Sequence, residues 1–188
     1  MKMKLIPIAL LLLLVGCSSV SPPTHYYLLS QDLGLNAEVD NTKAPIYLKS
    51  ITLADYLNQA ALVMMVENQQ AKVANYHFWG ESLDKAVSSV LTHDLEQACG
   101  CRVLDHQLAD EQPKNAVALS LHIEQMAAAA TGQVLLAGRY RTTKNNKQIV
   151  HRFRYQRAME GVGFKSAIAA KRALLTLLAS EISSTLND

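Results

Sequence analysis

Little in this chain is suited to covalent chemistry. Among 188 residues there are three cysteines, one tryptophan and eight glycines. There is no Gly-x-Ser-x-Gly elbow to expose a nucleophile, no Walker loop to cradle phosphates and no His-Glu-x-x-His pair to hold zinc. Gly161-Val162-Gly163 lacks both the third glycine and the ribose-binding acid of a dinucleotide fold. His93 and His106 lie near Cys99 and Cys101, yet no second ligand pair stands at zinc spacing. The sequence therefore gives no basis for an enzyme or a metal site. An excess of one charge is missing too. Lys and Arg total 18 against 16 Asp and Glu, but Lys2 and Lys4 belong to an export signal, and without them the count is 16 against 16. A neutral chain has no basic footprint for nucleic acid. Nor does any long apolar run occur at the N-terminus: residues 5–15 fall short of the roughly 20 needed to span a bilayer.

What is present first is a signal. Two lysines, that apolar run and a small residue, Gly16, form the three parts of an export segment over 1–16. It ends in Leu14-Val15-Gly16-Cys17, a lipobox. The Cys17 thiol takes a diacylglycerol, cleavage falls before it, and the freed amine takes a further acyl chain. An ordinary secretory signal with an incidental cysteine is the competing reading, and the combination of run, Gly16 and Cys17 outweighs it. No other cofactor is expected. Each buried methylene contributes about 0.8 kcal/mol, so two or three chains hold a protein on a bilayer where one is marginal. Ser18 stands second in the mature chain, and the lack of Asp there sorts the protein to the outer membrane, facing the periplasm.

Residues 17–44 form the lipidated N-terminus: a Ser- and Pro-rich tether at 18–23, a brief strand at Tyr26-Tyr27-Leu28-Leu29, and a loop. The domain occupies 45–188, enough chain for a sizeable core. Residues 46–53 are rich in β-formers and 55–58 break the run. A hairpin follows over 62–74, with Asn68-Gln69-Gln70 at its turn. From 81 to 98, Leu83, Ala86, Val87, Val90, Leu91 and Leu95 recur at helical spacing, and Gly100 stops the helix. The order then repeats: a strand at 117–124, two long strands at 134–143 and 148–159 around Lys144-Asn145-Asn146-Lys147, and a helix at 165–186 with Ile168, Leu175, Leu178, Ile182 and Leu186 on its apolar positions. In the last strand Ile149, His151, Phe153, Tyr155 and Arg157 share one face, with Val150, Arg152, Arg154 and Gln156 on the other. The expected fold is α+β, a two-layer domain with a mixed, mostly antiparallel sheet packed on two main helices.

The lipobox, the Tyr-Tyr-Leu-Leu that follows, Ala54-Asp55-Tyr56-Leu57, and Tyr76-His77-Phe78-Trp79-Gly80-Glu81-Ser82-Leu83 occur together. In this the chain resembles the ABC-type transport auxiliary lipoprotein family, and within it the lipoproteins of the paraquat-inducible Pqi system. Glu81-Ser82-Leu83 departs mildly from the Pro or Leu common after the tryptophan in that family. The resemblance implies a non-catalytic accessory of trans-envelope lipid transport that supports membrane integrity, with an MCE-domain protein or ABC-transporter subunits as partners. A hollow partner favours a homo-oligomer arranged as a ring. The alternative is a periplasmic lipoprotein that binds a small apolar ligand, or senses envelope stress, in the gap between helices and sheet. Met64-Met65 and Met126-Ala127-Ala128-Ala129-Ala130 could line such a gap, although core packing explains them more simply.

Three further features have two readings each. Tyr76, Phe78 and Trp79 are either packing at a strand end or an exposed aromatic contact for a partner or acyl chain, packing being favoured. Cys99-Gly100-Cys101 is a candidate disulfide in an oxidising compartment. Its place at a helix end, where the dipole raises a thiol pKa, argues against redox catalysis. Arg139, Arg141, Lys144, Lys147, Arg152, Arg154 and Arg157 could meet anionic headgroups or an acidic partner, and a solvated face is the favoured reading.

Overall fold

Apolar periodicity of two along the strands and of three to four along the helices is resolved into a sheet with one covered face. The computed structural model describes residues 21–30, 33–34, 38–66, 70–106 and 111–187. The signal, Cys17, Ser18 and most of the 68–70 turn lie outside them. In chain order the elements are β1 (His25–Tyr27), β2 (Ile46–Leu53), a 3-10 turn (Asp55–Leu57), β3 (Ala61–Met65), β4 (Ala71–Trp79), α1 (Leu83–Cys99), β5 (Val103–Asp105), β6 (Val117–Ala129), β7 (Gln133–Lys144), β8 (Lys147–Ala158) and α2 (Phe164–Asn187).

β6 is the hub. One of its edges pairs antiparallel with β7 along most of its length, and β7 pairs in turn with β8. Its other edge is shared. β2 lies parallel to its first half, from Ile46↔Val117 to Leu53↔Ile123, and β3 lies parallel to its end at Met64↔Ala128 and Met65↔Ala129. β5 extends the sheet beyond β2, while β4 and then β1 extend it beyond β3. The long ladders are antiparallel and the short ones mostly parallel, giving a two-layer α+β domain.

Both helices pack on one face. The α1 stripe Leu83, Ala86, Val87, Val90, Leu91 and Leu95 is buried throughout, and so are Ile168, Leu175, Leu178 and Ile182 of α2. They meet Leu119, Leu121, Ile123 and Met126 of β6 and Val134, Leu136 and Tyr140 of β7 in one continuous core. Helix α1 ends where Gly100 turns left-handed at φ 56° and returns its N–H to Glu96 O. The β7–β8 hairpin closes on Asn145 and Asn146 at φ 50° and 61°, the left-handed pair that a two-residue turn requires. Near the end of α2, Glu181 accepts from the Tyr155 hydroxyl, and the Tyr140 hydroxyl lies 3.2 Å from that of Thr185. The helix is thereby fastened to β7 and β8.

Several bounds differ from the sequence reading for tertiary reasons. β4 runs on to Trp79 because β1 lies against its last three residues. β6 continues through Met126-Ala127-Ala128, weak strand formers, because β3 and β7 flank it on both sides there. β5 has no alternating pattern to announce it and is held by backbone pairing with β2. Ser82 is the α1 N-cap residue but makes no side-chain cap bond, and Glu81 instead accepts from Ser30 Oγ at 2.7 Å.

The hub depends on one glycine. The β6–β7 register slips between Ile123 and Gln125, extruding Glu124, and Gly138 faces the slip. A Cβ on Gly138 would stand 2.2 Å from His122 O and 2.9 Å from Phe153 Cζ. Backbone cannot yield there as a flexible side-chain tip would. Gly138→Ala is expected to cost about 3 kcal/mol, the upper range for overpacking, read as a lower urea midpoint. An unchanged midpoint would show that the two strands can separate locally without loss.

Candidate functional site

The pleat sorts the aromatic residues near the N-terminus onto two sides. Tyr27, His77 and Trp79 point toward the helices. Trp79 is 6% exposed and belongs to the core, while His77 stacks on Phe164 of α2 at 3.8 Å and takes a 2.8 Å hydrogen bond with the Tyr27 hydroxyl. Tyr26, Tyr76 and Phe78 point the other way. Tyr26 is 70% exposed and Tyr76 40%, and Tyr26 and Phe78 lie 5.9 Å apart as register partners. Tyr76, Phe78 and Trp79 therefore do not form one patch: Trp79 packs, and Tyr26 joins the two that remain at the surface.

Trp79 has a charged neighbour. Lys171 of α2 is 3% exposed, and its Nζ lies 5.2 Å from the indole centroid. The ring face attracts the cation, but burial outweighs this and lowers the ammonium from 10.5 to about 8. The adjacent Arg172 faces α1, where its guanidinium grips Asp94 with bonds of 2.5 and 2.7 Å. This bidentate pair is mostly buried and ties the two helices together. Removing one partner of such a pair typically costs about 3–5 kcal/mol.

Cys99 and Cys101 are bonded, with sulfurs 2.08 Å apart. The residues around them are clamped from outside: Lys43 Nζ donates to Cys99 O at 2.7 Å and Asp40 N to Gly100 O at 2.9 Å. Asp40 itself is held below its ordinary value by hydrogen bonds from Thr42. His106 pairs with Asp105 at 2.9 Å rather than with the cysteines. Among the described residues no three His, Cys, Asp or Glu side chains are gathered to hold a metal ion.

Clefts lie on the outside. Between helices and sheet, Met126 and Ala128 lie at or near zero exposure and belong to the continuous core. One cleft of about 810 Å³ lies between β1 and α2, bordered by Tyr26, Leu28, Ile168, Ala169 and Arg172. Another, of about 440 Å³, lies over the open sheet face and is lined by Ser50, Thr52, His122, Arg139 and Arg141. The register puts Arg139, Arg141, Arg152 and Arg154 together on that face. Arg157 points to the helix side and pairs with Glu160 at 2.9 Å, and Lys144 and Lys147 flank the hairpin turn. The alternation in β8 together with the two-residue turn at Asn145-Asn146 sets the arginines of β7 opposite those of β8.

These features define a class before a family: a two-layer α+β domain with a short N-terminal strand docked on its sheet. The family model for the ABC-type transport auxiliary lipoprotein component matches residues 27–183, and the chain belongs to that family. It is thus an auxiliary lipoprotein component of ABC-type transport. No curated relative matches it in sequence. A solved structure of an uncharacterized protein superposes at TM-score 0.74 with 16% identity, over 88% of this chain and 99% of that one. A protein from Xanthomonas campestris superposes at 0.61 with 10% identity, over 87% and 93%. Both show the fold. The PelC dodecamer from Paraburkholderia phytofirmans, at TM-score 0.38 and 10% identity over 70% and 86%, lies below the level at which fold or assembly carries over.

Lys171 yields a test of the core. Above about pH 8 the folded chain has released this proton while the unfolded chain still holds it. The unfolded state then binds more protons, and stability rises with pH. Tyr56, Tyr140 and Tyr155 are all held above their ordinary value by burial, so their opposing effect sets in as the unfolded chain's tyrosines ionise near pH 10 and leaves pH 8 to 9 to Lys171. Stability should rise by about 1 kcal/mol between pH 8 and pH 9, and Lys171→Met should abolish the rise and stabilise the protein at pH 7. A flat profile in the parent chain would mean that the ammonium is solvated.

Proposed function

We propose that this protein is a non-catalytic accessory lipoprotein of a trans-envelope lipid-transport system of the Pqi/MCE type, anchored by acylated Cys17 to the periplasmic face of the outer membrane. The observation that carries the reading is the family match across nearly the whole folded domain, 27–183, immediately after a lipobox. The family makes the chain an auxiliary transport lipoprotein. The Trp79 junction and the Tyr-Tyr-Leu-Leu segment supply the likeness to Pqi lipoproteins.

In this role the lipid supplies position and effective concentration, and the exposed faces supply contacts to an MCE-domain protein or transporter subunits. Covalent chemistry is not required. Ser18 directs the acylated chain to the outer membrane. Copies of the chain assemble around the end of a hollow partner as a closed homo-oligomer, since cyclic symmetry lets identical surfaces meet a tube.

Crosslinking in intact cells, followed by mass spectrometry of co-purifying proteins and of the N-terminus, is expected to recover an MCE-domain or ABC-transporter subunit and a triacylated Cys17. Recovery of unrelated envelope proteins alone would refute the transport role while leaving the anchor standing. Cys17→Ser should leave the chain uncleaved and unacylated, and Ser18→Asp should hold it at the inner membrane; fractionation reads both. Native mass spectrometry of the detergent-solubilised protein should show an oligomer, and a monomer would count against the ring.

A further inference from the structure

The sheet face turned away from the helices carries a charge pattern that the fold does not need. Arg139 and Arg141 stand two residues apart on β7 and point to the same side. Arg152 of β8 lies directly opposite Arg139, and Arg154 lies opposite Ala137, so four arginines share one surface. Lys49, at the irregularity between Leu48 and Ser50, borders it beside Arg141. Glu124 meets Arg139 at 3.5 Å, with both side chains about half exposed, and Arg154 donates to Gln125 at 3.3 Å. The side chains of Arg141 and Arg152 make no hydrogen bond or ion pair with another described residue.

Like charges directly opposite each other on an antiparallel pair are destabilising. The Arg139–Arg152 pairing therefore works against the free fold, and an anion placed between the two strands relieves it. Beside the arginines lies the 440 Å³ cleft, with the hydroxyls of Ser50, Thr52 and Ser120 and the His122 ring at its walls. Thr52 Oγ1 and His122 Nδ1 are 2.8 Å apart, which fixes that ring. Guanidinium forks with hydroxyl and imidazole groups are the donor set that phosphate oxygens prefer.

We infer that this open face binds the phosphate of an anionic phospholipid headgroup, with Arg141 and Arg152 as the principal donors. The anion site rests on register and cleft. The choice of a lipid as its source rests on the lipid-transport role proposed above, and two placements support it. Tyr26, Tyr76 and Phe78, on the β1–β4 arm, point to the same side of the sheet, and such side chains favour the boundary between membrane and water. His25, which opens β1, follows the acylated Cys17 by eight residues, so the arm is kept close to a bilayer.

The test uses the mature acylated protein in neutral-detergent micelles, titrated calorimetrically with dihexanoyl phosphatidylglycerol, dihexanoyl phosphatidylcholine and inorganic phosphate. Phosphatidylglycerol should bind saturably and more weakly as salt is raised, and the other two should bind far less well. Arg141→Gln and Arg152→Gln should each weaken binding by roughly tenfold or more, and Lys85→Gln on the exposed side of α1 should not. Arg152→Gln should keep or raise the melting temperature, which separates lost binding from lost folding. Inorganic phosphate binding as tightly as the lipid would overturn the lipid as ligand. Lipid binding that survives both arginine substitutions would overturn the site. If the parent chain ignores all three ligands and the same substitutions abolish a crosslink to a protein, the face belongs to an acidic partner and the inference fails. Crosslinks to transport subunits are read separately: their absence with lipid binding intact would remove the role and keep the site.

Discussion

Pairing along both edges of β6 is the constraint on which the rest of the domain depends. A strand of thirteen residues accepts β7 on one side and, on the other, β2 and β3 in succession. Those two are separated by the 3-10 turn, so the chain must leave the sheet at Leu53 and re-enter near Ala61 to follow the same strand. The slip at Glu124 lies opposite Gly138, the residue that lets the backbones meet. Without that approach β7 and β8 would part from the β2 side, and α2, which packs on both, would lose most of its floor.

The helices are secured by apolar burial first and by a few polar groups second. The α1 and α2 stripes supply the core, whose stabilisation is spread over many side chains. The Asp94–Arg172 pair adds orientation more than net energy, since desolvation offsets much of the attraction between buried charges. Lys171 runs against stability. A buried ammonium with an aromatic face for company is tolerated because its long stem fills the space beside Trp79.

Between its two faces the sheet divides labour. Every second residue of β6 and β7 is consumed by the helix layer. Of the intervening positions Ala118 packs with Tyr47 and Ala116, and the others include arginines, hydroxyls and, on the β1–β4 arm, tyrosines. An accessory protein that acts by contact needs such a surface.

Much was legible in the chain alone because periodicity is local. The two helical stripes, the hairpin at Asn145-Asn146, the stop at Gly100 and the two faces of β8 each follow from residues adjacent in sequence, and the lipobox is a contiguous motif. Decisions requiring a distant partner were not legible. The length of β4 was settled by β1, the strand character of Met126-Ala127-Ala128 by neighbours on both edges, and β5 by backbone bonds alone. Trp79 became core because α2 came to lie over it, 92 residues downstream at Lys171. The arginines divide between the two cases. Sequence determined that Arg139 faces Arg152, because the two-residue turn at Asn145-Asn146 fixes the β7–β8 register, whereas only the tertiary structure set Ser50 and Thr52 of β2 beside them, because pairing between strands far apart in the chain has no local signal.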